Sequence, residues 1–141
     1  MKYKDFTSNQ AWLIFDYPSH LTQSEEEKVT YVFYTEDTGS FRVTPLKMDN
    51  NKEFNAAKFL YKCCVDYDGQ ILENSKNNKY VFSLPTSKDQ EDDLTIYNWS
   101  FAKNDKIIYC SYTIDTSDSE DEEIVSERSE IIKIIKNLDF L

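Results

Sequence analysis

The 141 residues carry a formal net charge of −10 on a composition that is 40% hydrophobic, 15% aromatic and 30% charged. That length suits a single domain, residues 1–141, with enough apolar material to close a core without disulfide or metal staples. The charge argues against nucleic acid and anionic membranes as partners, because both need a basic, arginine-rich face, and Arg42 and Arg128 are the only arginines.

In chain order, the opening Lys2, Lys4, Asp5 and Thr7 do not lead into an apolar run, so no secretory leader is read. The apolar stretch 11–15 is too short for a bilayer span, and a cytoplasmic home is expected. Residues Trp12–Tyr17 form a strand pattern that stops at Pro18. Val29–Thr35 and Ser40–Leu46 flank Glu36-Asp37-Thr38-Gly39 and predict a hairpin, with Gly39 supplying positive φ. From Asn51 to Tyr67 the pattern turns helical. Asn55, Lys58, Lys62 and Asp66 make its wet stripe, and Ala56, Ala57, Leu60, Cys63, Cys64 and Tyr67 its apolar side. Asp49 or Asn50 is the expected cap, and Gly69 the expected left-handed stop.

Four further strands are predicted at Gln70–Asn74, Lys79–Leu84, Asp93–Lys103 and Lys106–Asp115, the last two joined by the turn Lys103-Asn104-Asp105-Lys106. Several strands carry apolar groups on both faces, which predicts a sheet covered on each side. An acidic run, Asp115–Glu123, leads into a final helix from about Glu122 to Leu138. Ile124, Ile131, Ile135 and Leu138 line its inner face with Val125 and Ile132 beside them. Ser126, Glu130, Lys133 and Asn137 mark its outer face, and Ser119 with Glu122 spells a capping box. The elements add up to an α+β fold: a central antiparallel sheet of six to seven strands flanked by two helices.

Little of this carries chemistry. Two glycines, Gly39 and Gly69, cannot build a phosphate loop or a dinucleotide fingerprint. His20 stands alone in a loop after the first strand, and Cys63, Cys64 and Cys110 have no zinc spacing and no disulfide framework. The residues Asp115–Asp121 are spaced wrongly for a calcium loop. No catalytic residue, metal or cofactor is expected. The remaining signal is one of surface recognition. Tyr97 and Trp99, with Tyr109 on the next strand, would anchor a partner wherever their rings are exposed, although rings of this kind more often fill the core. Asp118, Glu120 and Asp121 would form an acidic rim that steers a basic protein.

The order of elements resembles the PsbP-like fold, which is shared with a nuclear-import factor that binds the Ran GTPase and with several bacterial families. The resemblance rests on the strand ending in Tyr17-Pro18, the early hairpin, the helix 51–67 and the closing Ile131-Ile132-Lys133-Ile134-Ile135-Lys136-Asn137-Leu138-Asp139-Phe140. It implies an antiparallel sheet flanked by helices, a terminal Phe returned to the core, and protein binding without catalytic machinery, some bacterial relatives resembling immunity proteins. The expectation is therefore a non-enzymatic, protein-binding domain of immunity type that occludes a basic partner. A small-molecule sensor or carrier, with an aromatic pocket between sheet and helix, is the alternative.

Overall fold

The computed structural model of the chain describes residues 2–27, 29–48, 53–84 and 93–141. The elements are β1 (Tyr3–Thr7), β2 (Leu13–Pro18), β3 (Thr22–Glu26), β4 (Thr30–Tyr34), β5 (Ser40–Lys47), α1 (Ala56–Asp66), β6 (Gln70–Glu73), β7 (Lys79–Ser83), β8 (Leu94–Lys103), β9 (Lys106–Asp115), α2 (Glu122–Asn137) and β10 (Asp139–Phe140). Seven strands form one antiparallel sheet in the order β3-β4-β5-β9-β8-β7-β6, and a second sheet has the order β1-β2-β10. The seven-stranded sheet holds six of the seven predicted strands, with β3 added at one edge, while the predicted strand Trp12–Tyr17 leaves it as β2 of the smaller sheet. The three-stranded sheet is unpredicted, because β1 is almost wholly polar and β10 exists only through its pairing with β2.

The sheet separates two cores. On one face Phe33, Phe41, Phe101, Ile108 and Tyr112 pack with Leu13 and Phe15 of β2 and with Ile124, Ile131, Ile135 and Leu138 of α2. On the other, Val81, Ala102 and Ile107 meet only Leu60 and Cys63 among the buried residues of α1. Phe140 returns to the larger core and stacks on Trp12 at 6.0 Å.

Local expectations need several corrections. Helix α1 begins at Ala56, capped by the Asn55 side chain, which accepts from the Lys58 N–H at 3.0 Å. The expected caps Asp49 and Asn50 lie outside the described residues. Ala57 and Tyr67 are exposed, since only Leu60 and Cys63 point squarely at the sheet. Neither glycine takes positive φ; Asp68, at 51°, does so in place of Gly69. Gly39 is small for packing reasons, as a Cβ would lie 2.7 Å from Ile114 Cγ2, the Thr113 carbonyl and the Tyr112 ring. Ser119 does not cap α2; Asp121 occupies the cap position without a side-chain bond. Val125 and Ile132 are exposed, whereas Glu130, expected on the wet face, is buried. Within the acidic run, Thr116–Asp118 winds into a 3-10 turn before α2.

Candidate functional site

Helix α2 presents Glu123, Ser126, Glu127, Glu130, Lys133 and Asn137 at helical spacing, so they form one longitudinal stripe. Two open clefts lie along it and share Glu130. The lower cleft, about 660 Å³, is walled by the three-stranded sheet through Tyr3, Asp5 and Asp16, with Lys76 and Asp139 at its end. The upper cleft, about 490 Å³, is closed by His20 and by Thr35, Asp37 and Thr38 of the β4–β5 turn. Together they make a groove with carboxylates along its whole length.

Glu127 is the groove's structural pin. Its carboxylate accepts from the Tyr112 hydroxyl at 2.7 Å, the Thr38 hydroxyl at 2.5 Å and the Gly39 N–H at 3.0 Å. Thr35 hydrogen-bonds in turn to Thr38. Burial, reinforced by the bond to Glu127, pushes the Tyr112 hydroxyl far above the ordinary phenol range, so it stays a donor. The network ties α2 to the β4–β5 turn and holds that wall of the groove in place.

Glu130 accepts from the Tyr3 hydroxyl at 2.8 Å and from Lys133 Nζ at 3.1 Å. Burial raises its pKa, but these two bonds and the positive charge of Lys133 and His20 outweigh that and hold it below the ordinary value. Asp5 and Asp16 are cross-strand partners. The hydrogen bond between them, then partial burial and mutual repulsion, raises the Asp16 pKa. Among the described residues, no group of three or more His, Cys, Asp or Glu is placed to hold a metal ion.

The six residues expected from sequence do not form one surface. Trp99 is buried in the larger core and paired in register with Cys110, so it is no anchor. Tyr109 lies on the opposite sheet face, its ring 6.0 Å from Phe59 near α1. Tyr97 is half-buried and covered by Arg128, whose guanidinium lies 5.7 Å from the ring centroid and donates to the Tyr97 hydroxyl at 3.2 Å. Arg128 also donates to the Ser119 carbonyl at 3.4 Å, which places Tyr97 beside the acidic connector. Asp118, Glu120 and Asp121 reach solvent there, immediately before Glu122 and Glu123 of the upper cleft. Arg128 thus links Tyr97 to the start of the connector, and none of these residues lines either cleft.

His20 also differs from its expected isolation, since it faces Glu122, Glu123 and Glu127 across the upper cleft. Sequence reading missed Asp5, Asp16, Glu127 and Glu130. Glu127 alone left a signal, as a carboxylate interrupting the buried stripe Ile124, Ile131, Ile134 and Leu138. For the alternative reading, aromatic rings fill the space between the two sheets, with Phe6–Tyr31 and Tyr17–Phe33 centroids 4.7 Å apart, and the two clefts along α2 are lined mainly by polar side chains.

No helix among the described residues is long and apolar enough to cross a membrane. No curated protein sequence matches the chain. A crystal structure from Bacteroides thetaiotaomicron VPI-5482 is similar over 100% of this chain, with 22% identity and a TM-score of 0.76; the match spans 49% of that longer chain. The solution structure of cyanobacterial PsbP (CyanoP) from Synechocystis sp. PCC 6803 is similar over 99% of this chain and 92% of its own, with 10% identity and a TM-score of 0.61. At those identities the likeness is one of fold, and the fold is PsbP-like. A family model described as "Domain of unknown function (DUF3805)" matches residues 1–137, and the chain belongs to that family.

Proposed function

We propose that this chain is a non-enzymatic protein-binding module whose docking surface is the acidic groove along α2. The observation that carries the reading is the series of carboxylates, from Asp5 and Asp16 through Glu130 and Glu127 to Glu123, set in a concavity whose lysines are Lys76 and Lys133. A concave anionic wall with a pinned backbone favours a lysine- or arginine-bearing segment of a partner, and the net charge of −10 accelerates its encounter. The PsbP-like fold is compatible with binding, and the finer assignment is an immunity-type role in which the groove covers a basic functional surface of the partner. The hydroxyls that meet carboxylates in the groove, Thr38 on Glu127 and Tyr3 on Glu130, belong to the hydrogen-bond networks that pin α2, and on that ground binding is preferred to catalysis.

A titration of isotopically labelled protein with a lysine- and arginine-rich peptide, followed by amide chemical shifts, tests the reading. Changes should cluster at β1, β2 and the groove stripe of α2, and should vanish in the triple variant Asp5→Asn, Asp16→Asn, Glu130→Gln. Shifts scattered over the acidic surface, or unaltered in the variant, would remove the groove as the docking site.

A further inference from the structure

The far edge of the seven-stranded sheet is β6, whose one strand neighbour among the described residues is β7. All of its residues are exposed, including Ile71 at 45% and Leu72 at 41%. Ile71 is in register with Val81, so it lies on the α1 side of the sheet. There the outer surface of α1 and the turn after it add Tyr61, Val65 and Tyr67, at 68%, 62% and 61% exposed. Unpaired edge backbone beside exposed apolar side chains is a template for another strand. The opposite edge, β3, is guarded by Glu25 and Glu26.

Charge selects the occupant. Two chains of net charge −10 repel wherever their acidic surfaces meet. Around β6 and α1, however, Lys58, Lys62 and Lys79 balance Asp66, Asp68 and Glu73. This is a face on which one copy can approach another with less of that penalty. We propose that β6 pairs antiparallel with β6 of a second copy, joining two seven-stranded sheets across a twofold axis. An axis perpendicular to the sheet keeps corresponding faces together, so a register centred on Ile71 sets it against its own counterpart on the α1 side. The same axis reverses the helix direction and turns the Lys58–Lys62 stretch of one copy toward the Asp66–Asp68 end of the other. The α2 grooves lie on the other face of the joined sheet and remain open, so the dimer presents two docking sites.

Sedimentation velocity of the full chain over a dilution series decides the matter. The expected result is a reversible monomer–dimer equilibrium that strengthens with added salt, as screening relieves the net repulsion. Ile71→Lys should leave a monomer at every concentration with an unchanged circular dichroism spectrum, and Gln23→Lys on the other edge should leave the dimer intact. Tyr67→Glu, outside the sheet, weakens the dimer in parallel and guards against a folding defect in the first variant. Amide exchange at Gln70–Glu73 should slow as the dimer forms. A wild type that stays monomeric at every concentration overturns the pairing. So does a dimer that survives Ile71→Lys, or protection of these amides only on addition of a foreign protein.

Discussion

The two faces of the seven-stranded sheet are built to different standards. The α2 face is packed with rings in edge and tilted contacts, such as Phe6–Phe33 at 5.4 Å and Phe15–Phe33 at 5.5 Å, and seals Tyr112, Ile131, Ile135 and Leu138 completely from solvent. The α1 face has a thin core, in which the helix contributes Leu60 and Cys63 and leaves Tyr61 and Val65 in water. The same sheet thus supports a rigid wall on one side and a lightly held helix on the other. Rigidity is where the groove is, and unburied apolar surface is where the free edge is. A groove that must hold several like charges close together needs the stiffer support, because repulsion would otherwise open it.

Truncating each core separates them most sharply. Ile131→Ala should cost about 3–5 kcal/mol and Leu60→Ala about 2–3 kcal/mol, the second lower because a thin, solvent-lapped core can collapse around the lost methyls. Denaturant unfolding of both variants reads the difference, and equal losses would dissolve the distinction between the faces.

Glu127 tests the polar part of the α2 face. Glu127→Ala strands the Tyr112 hydroxyl, the Thr38 hydroxyl and the Gly39 N–H, and should cost about 2–4 kcal/mol. Glu127→Gln retains an acceptor oxygen and should cost clearly less by the same measurement. If the two variants are equally damaging, charge rather than hydrogen bonding holds the wall.

A smaller effect of known sign is expected at Asp16. Its folded pKa is raised by the bond to Asp5, so the pair's stabilising proton is fully present below the unfolded value and is lost as pH rises through the folded one. Asp16→Asn should therefore raise Tm by about 1–2 °C at neutral pH, an effect limited by solvent screening, and the gain should disappear in acid. Thermal melts across pH 3–8 would expose the opposite trend. Smallest in stability is the connector. Neutralising Asp118, Glu120 and Asp121 should leave the melt unchanged and slow association with a basic partner about threefold to tenfold at low salt, with little change in dissociation. Stopped-flow traces over a salt series read this, and replacing Lys58 and Lys62 on the α1 face should leave the rate unaltered or raise it.

Period and punctuation were enough for the elements whose patterns are strong. Both helices, the two hairpins of the large sheet and the buried aspect of Leu60 and Ile131 follow from local alternation and turn chemistry, since a pattern must agree with the face it buries. The Tyr97–Trp99 alternation likewise states that these rings share a face. Which face that is, and whether α2 covers it, depends on strand register: Trp99 opposite Cys110 goes inside, while Tyr109 opposite Ser100 goes to the α1 side. The strands β1, β3 and β10 were invisible because polar or very short segments become strands only when a neighbour offers backbone bonds. The groove belongs wholly to tertiary structure. Asp5, Asp16 and Glu130 are far apart in sequence, and only the docking of the small sheet against α2 brings them to one cleft, while Glu127 lines the neighbouring one.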